Sequence, residues 1–253
     1  MKDVKVGNIT VGEKPVWILG PCAIESRDQM QSEAVKLKNL GATMLRGGAF
    51  KPRTNPSSFQ GLGMTGVKYL AEAGKMTGLP VVTEVLSERD LEAMMPFVDV
   101  FQIGSRNMYN YALLREVGRT GKPVILKRGF SATLEEWIGA SEYIAQEGNE
   151  NIIYCERGIR TFGSDTRNTL DIAGAVLLRM KTGRPVICDP SHGTGKRSLI
   201  RPMAFAALAA GLDGLMIEVH ETPDRAISDA AQTISVEHMA EIIKDGKKFE
   251  NCI

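Results

Sequence analysis

A thiol, an imidazole and two carboxylates stand out in this sequence of 253 residues: Cys22, His192, Glu218 and Asp229. Soft and hard donors mixed in this way suit a divalent transition metal such as Mn2+, Fe2+, Co2+ or Zn2+. Taken singly, most have a plainer explanation. A lone cysteine after a strand is ordinarily a small buried hydrophobe. Asp229, within Ala226–Ile227–Ser228–Asp229–Ala230, could cap a short helix. Glu218 is harder to set aside, because it lies in an apolar run and an unpaired buried carboxylate is costly. A second set is cationic: Arg46, Lys51, Arg53, Arg106, Lys127 and Arg157, with Glu84 between them. Arginine forks suit phosphate and carboxylate oxygens, and lysine adds a point charge. One such residue alone would be read as a surface ion pair. Gathered together they repel one another unless an anion fills the space. The pattern therefore calls for one substrate with several negative groups, or for two anionic substrates.

These residues are far apart in sequence, so the fold must bring them together. Eight short runs read as buried parallel strands: residues 16–19, 43–46, 81–84, 100–103, 124–127, 152–156, 186–189 and 215–219. Most are continuously apolar, as strands covered on both faces are. Three follow a Gly-X-Pro entry, at 78–80, 121–123 and 183–185. There Gly ends the preceding helix and Pro opens the strand where no ladder donor is needed. Amphipathic segments lie between the runs. Met30, Ala34, Leu37 and Leu40 share one helical face, as do Ile172, Val176, Leu177 and Met180, and later Val236, Met239, Ile242 and Ile243. Unbroken βα alternation argues for one parallel α/β domain, and eight strands suit a closed (β/α)8 TIM barrel. Residues 4–6, Gly7–Asn8 and 9–11 read as a small hairpin, so the expected organisation is one barrel domain over 1–253 with residues 1–15 as an N-terminal β-hairpin extension.

The barrel explains the placement of the polar residues. Cys22 follows strand 1 of the eight, Arg46 ends strand 2, Glu84 strand 3, and Arg106 follows strand 4. Lys127 ends strand 5, Arg157 follows strand 6, His192 follows strand 7, and Glu218 lies in strand 8. Barrel active sites are built at that rim. Closure sets strand 8 beside strand 1, which is what lets Cys22 meet Glu218. Arg160 and Arg167, after strand 6, fit either the site or an interface. His220 should point away from Glu218, and His238, on the last helix, toward solvent.

Composition narrows the function. With 31 basic and 30 acidic residues the formal charge is +1, which gives no global reason to bind nucleic acid or membrane. The cysteines, Cys22, Cys155, Cys188 and Cys252, form no CxxC pair or disulfide framework. A charged start and the lack of any long apolar run argue against a signal peptide or membrane span. The expectation is a cytoplasmic protein with reduced thiols. Ser191–His192–Gly193–Thr194–Gly195–Lys196 is glycine-rich but lacks the GxxxxGK[ST] spacing of a nucleotide-binding loop.

Read together, the motifs resemble a known series. They are Gly20–Pro21–Cys22–Ala23, Leu45–Arg46–Gly47–Gly48–Ala49–Phe50–Lys51–Pro52–Arg53–Thr54 and Ile103–Gly104–Ser105–Arg106–Asn107–Met108, then Leu126–Lys127–Arg128–Gly129, Cys155–Glu156–Arg157–Gly158, Asp189–Pro190–Ser191–His192 and Ile217–Glu218–Val219–His220. The chain resembles the 3-deoxy-D-arabino-heptulosonate-7-phosphate (DAHP) synthases, in particular the subfamily related to 3-deoxy-D-manno-octulosonate-8-phosphate synthases. The resemblance implies a metal-dependent transferase that condenses phosphoenolpyruvate with erythrose 4-phosphate at the head of the shikimate pathway to aromatic amino acids. It implies metal ligands at Cys22, His192, Glu218 and Asp229. It places phosphoenolpyruvate on Arg106, Lys127 and Arg157, with Arg46 and Lys51 nearby. Erythrose 4-phosphate falls to Lys51–Pro52–Arg53–Thr54, with Arg53 and Thr54 toward its phosphate. Lys51, Lys127, Glu84 and His192 are the expected catalytic groups, the last three as candidates for handling the proton of the attacking water. A homo-oligomer, dimer or tetramer, is also implied. The octulosonate relatives usually carry a different, Asn-containing segment in place of Lys-Pro-Arg-Thr, and some replace the metal-binding cysteine by asparagine. Both features favour the four-carbon sugar and metal dependence here, leaving arabinose 5-phosphate, or a non-catalytic metabolite-binding barrel, as the alternatives. Gly163–Ser164–Asp165 and residues 221–226 depart from the family pattern. Many relatives add a regulatory domain; none is expected here, nor feedback through one.

Overall fold

A computed structural model describes residues 2–53 and 55–249. A two-stranded antiparallel hairpin, β1 (Val4–Val6) and β2 (Ile9–Val11), comes first. Eight parallel strands then close a barrel: β3 (Val16–Gly20), β4 (Met44–Arg46), β5 (Val81–Glu84), β6 (Val100–Ile103), β7 (Val124–Lys127), β8 (Ile152–Glu156), β9 (Val186–Cys188) and β10 (Gly214–Glu218). Strand β10 pairs with β3 in parallel, with Glu218 opposite Gly20, and this seam closes the ring. The helices are α1 (Arg27–Leu40), α2 (Met64–Thr77), α3 (Glu88–Met94), α4 (Tyr111–Arg119), α5 (Leu134–Ala145), α6 (Ile172–Thr182), α7 (Pro190–Thr194), α8 (Arg197–Ala209) and α9 (Val236–Gly246). The strand runs expected from sequence match to within one residue at each end, because buried parallel strands must be continuously apolar.

Two apolar cores follow from the alternation of side chains along each strand. Outward-facing residues such as Leu19, Leu45, Phe101, Leu126, Tyr154 and Ile217 pack against the helices. Inward-facing Ile18, Met44, Val82, Val100, Ile125, Ile153, Ile187 and Met216 fill the barrel, and Val4, Val6 and Val11 of the hairpin join them. The hairpin thus plugs the N-terminal end, and the opposite end is left for chemistry. Helix α6 departs from expectation. Its buried residues are Ala175 and Leu178, while Leu177 and Met180 are 45% and 76% exposed. The segment is apolar on several sides, so its spacing did not single out one face. His238 is half-buried rather than solvent-facing.

Candidate active site at the C-terminal rim

A cavity of about 370 Å3 opens at the C-terminal ends of the strands. Its lining includes Arg46, Lys51, Arg53, Glu84, Arg106, Lys127, Arg157, His192 and Asp229. Cys22 and Glu218 do not line it, but both are buried and reach it through their partners, since Cys22 contacts Lys51 and Asp229, and Glu218 contacts Arg46 and His192. Thr54 lies outside the described residues. Residues from all eight barrel strands or their following loops therefore meet at one place.

The four candidate metal ligands converge. One donor atom from each of Cys22, His192, Glu218 and Asp229 lies within 4.8 Å of all the others. The Cys22 thiol donates to Asp229 Oδ2 at 3.2 Å, and Lys51 Nζ donates to Cys22 Sγ at 2.9 Å. His192 Nε2 lies 3.3 Å from Glu218 Oε1 and 3.8 Å from Asp229 Oδ2. Burial pushes the Cys22 thiol up to about 12, with Glu218 adding to the effect and Lys51 opposing it. Burial also opposes ionisation of Glu218, but His192, Arg46 and Lys51 outweigh it and hold the carboxyl well below the usual range. Burial lowers the His192 imidazole against the pull of Asp189 and Glu218.

The donor chemistry fits a divalent cation. A neutral His192 donates its Nδ1–H to Asp189 Oδ2 at 2.7 Å, which leaves a lone pair on Nε2. That lone pair faces carboxylate oxygens of Glu218 and Asp229 and a thiol. Such acceptors crowd together favourably only around a positive charge. Asp229 is also the one non-glycine residue at positive φ among the described residues, at 54°. It does not serve as a helix cap. Its backbone carbonyl accepts from the N–H groups of Gln232 and Thr233, and these hold the unusual conformation that aims its carboxylate inward.

Local sequence chemistry places His192. Asp189 caps the short helix α7, accepting the His192 backbone N–H at 2.9 Å, and Pro190 takes the first turn, where no N–H is required. The same carboxylate receives Lys127 Nζ. Burial opposes its ionisation, but His192 and Lys127 hold it well below the ordinary range. The glycine-rich run after it is therefore a helix and its C-terminal turn, not a nucleotide loop. The sequence offers Asp189 only as a strand end and a motif member, and its dual role emerges once α7 folds. Two further residues, Gln232 and Ser228, left no signal in sequence, and Arg167, which the sequence leaves open between site and interface, joins them. Gln232 donates to Glu218 Oε2 at 2.6 Å and accepts from Arg167 Nη1 at 2.9 Å. Arg167 reaches Asp229 Oδ1 at 3.3 Å, which assigns it to the site. Ser228 accepts from Arg53 Nη1 at 2.8 Å.

The cationic half is arranged for anions. Arg46 Nη1 donates to Glu218 Oε1 at 3.0 Å, and Lys127 is held by Asp189. Arg106 and Arg157 stand over the Phe130 ring at 5.5 and 4.7 Å. Among the described residues, neither has a carboxylate partner; Arg157 only reaches Gly158 O at 3.4 Å. Burial pulls the Arg157 guanidinium down, against Asp189. Arg160 also lies over Phe130, at 5.0 Å, but is exposed. Glu84 is the acid facing these cations. It accepts from Gln102 Nε2 at 3.1 Å. Burial raises its carboxyl, and Lys51, Lys127, Arg46 and Arg106 act against that rise. Gly104 makes room for it: a Cβ there would lie 2.0 Å from Glu84 Oε1. His220 points away from Glu218, toward Glu25 and Glu33.

Comparison with known proteins gives the family. The family model described as the DAHP synthetase I family matches residues 2–252. The phospho-2-dehydro-3-deoxyheptonate aldolase of Thermotoga maritima is 46% identical, over 99% of this chain and 73% of its own length. A crystal structure of the Thermotoga maritima enzyme, a DAHP synthase, superposes with a TM-score of 0.94 over 97% of this chain and 72% of that one. A truncated form of that synthase gives 0.90 at 42% identity, over 97% and 90%. The 2-dehydro-3-deoxyphosphooctonate aldolase of Thioalkalivibrio sulfidiphilus is more distant, 31% identical over 95% of this chain and 92% of its own. Among the described residues no helix is long and apolar enough to cross a membrane. The chain belongs to the DAHP synthetase I family.

Proposed function

We propose that this chain is a divalent-metal-dependent DAHP synthase, condensing phosphoenolpyruvate with erythrose 4-phosphate and releasing phosphate. The observation that carries the reading is the meeting of a Cys/His/Glu/Asp donor set with a cationic cavity at one rim. A divalent ion held by Cys22, His192, Glu218 and Asp229 supplies Lewis acidity toward the sugar aldehyde.

The remaining work falls to side chains. Arg106 and Arg157, without a carboxylate partner among the described residues, bind the phosphate and carboxylate of phosphoenolpyruvate, with Lys127 and Arg46 beside them. Lys51, Arg53 and Thr54 receive erythrose 4-phosphate, with Arg53 toward its phosphate. Fixing the two substrates face to face lets C3 of phosphoenolpyruvate form a bond to the aldehyde carbon, whose oxygen takes up a proton. Positive character then builds at C2. Water adds there and gives up one proton, and cleavage of the bond from C2 to the phosphate oxygen releases phosphate to the arginines as the new C2 hydroxyl loses its proton and becomes the keto oxygen. Of the three candidates for the water proton, Glu84 suits the task best. Lys127 is paired with Asp189, and His192 directs Nε2 to the metal ligands. Glu84 is an acceptor in the cavity, and burial raises its affinity for a proton.

Consumption of phosphoenolpyruvate tests the reading, measured in the presence of Mn2+ with erythrose 4-phosphate and arabinose 5-phosphate in parallel. Turnover with the four-carbon sugar is expected. Turnover with arabinose 5-phosphate alone overturns the substrate assignment, and none with either overturns the synthase.

A further inference from the structure

Cys22 and Asp229 sit on two different loops, residues 21–26 after β3 and residues 219–235 after β10. Few regular elements hold the second loop, yet it must present Asp229 at positive φ. Two acidic side chains from the Cys22 side reach across to it. Glu25 Oε1 accepts the Ile227 backbone N–H at 2.9 Å, two residues before Asp229. Glu33, on α1 and 1% exposed, accepts the Glu221 backbone N–H at 3.0 Å. His220 is buried between them. Its Nδ1 accepts from Thr222 N at 2.9 Å, so the ring proton sits on Nε2, which lies 3.5 Å from Glu25 Oε1 and 3.6 Å from Glu33 Oε1. Among the described residues Nε2 has no closer hydrogen-bond partner. Ser32 and Lys36 of α1 grip the Glu221 carboxylate as well. None of these groups touches the cavity.

We propose that Glu25 and Glu33 are positioning residues that clamp the loop after β10, and with it Asp229, to the loop that carries Cys22. The inference rests on the reading of Cys22, His192, Glu218 and Asp229 as metal ligands. Partners that orient ligands govern metal affinity as well as shape. A backbone N–H held by a buried carboxyl oxygen fixes the chain more firmly than a solvated one.

The test uses Glu25→Ala and Glu25→Gln, because Glu25 is only part-buried and its loss should not unfold the barrel. Mn2+ affinity is measured by titration of the metal-free protein, and amide exchange is followed over residues 219–235. In Glu25→Ala, Mn2+ should bind roughly 10-fold more weakly, and the loop amides should exchange faster while those of the strands do not. Glu25→Gln keeps an acceptor oxygen and should restore both to within about threefold. Unchanged loop exchange together with wild-type Mn2+ affinity in Glu25→Ala overturns the clamp. A wild-type chain that takes up no Mn2+ overturns the metal reading instead, and the exchange measurement then still decides the clamp.

Discussion

The Cys22 thiol and the Asp229 carboxylate meet at 3.2 Å although 207 positions separate them in sequence. Only closure of the barrel at the β10–β3 seam makes that contact. Removing the thiol should therefore strike metal binding and leave the fold alone. Cys22→Ala is expected to cut turnover by about 100-fold or more and to leave the circular dichroism spectrum unchanged. A variant that binds Mn2+ and turns over as the wild type does would remove Cys22 from the ligand set.

Gly104 is the second point of attack. An alanine there would drive its Cβ into Glu84, 2.0 Å from Oε1. The carboxylate must move out of the cavity or the strand end must shift. Gly104→Ala should lower kcat by roughly 100-fold and cost about 1–3 kcal/mol of stability by overpacking. Kinetics and thermal unfolding of the same sample check both parts, and a normal kcat would show that the position of Glu84 is immaterial.

Arg53 divides the two substrates. Its Nη1 also bonds Ser228, the neighbour of Asp229, so some loss of rate is expected from any change. Arg53→Ala should still raise the KM for erythrose 4-phosphate by roughly 10- to 100-fold, the loss of one or two charge-assisted hydrogen bonds. The KM for phosphoenolpyruvate should move little. Equal effects on both would count against its assignment to the sugar phosphate.

Glu33 gives a pH signature of its own. Burial raises its carboxyl from 4.5 to about 8; the Glu221 backbone N–H and Gln29 oppose the shift, the Glu221 and Glu25 charges add to it, and His220 faces the same carboxyl. Below about pH 4.5 folded and unfolded chains both hold this proton, so nothing is lost. As pH rises toward about 8 the unfolded chain releases it first, and stability falls. Glu33→Gln, of equal size and without a titration, should gain on the wild type between about pH 5 and pH 8. Unfolding free energies at the two pH values measure the difference, and a constant offset would mean that Glu33 is ionised in the folded chain.

The sequence made the barrel legible because buried parallel strands are unbroken apolar runs, and 81–84 or 152–156 admit little else. The rim residues were legible for a related reason: a charge that ends such a run, as Lys127 does, needs a purpose. Helix α6 was misread because Leu177 and Met180 are apolar yet outward-facing. Gln232 and Ser228 were invisible, since polar loop residues are ordinary until a backbone such as that of Asp229 turns them inward, and Arg167 stayed open between site and interface until the loop after β10 supplied Gln232 and Asp229 as its partners. The clamp by Glu25 and Glu33 was hidden likewise, because an acid just before a helix usually serves its dipole and one inside a helix usually faces solvent.

The central claim is that the four converging donors hold a metal ion the reaction requires. Phosphoenolpyruvate consumption with erythrose 4-phosphate should be measured on chelator-treated protein before and after Mn2+ is restored. The stripped protein should be inactive and the reloaded protein active. Full activity in a sample shown by elemental analysis to be free of metal would contradict the account.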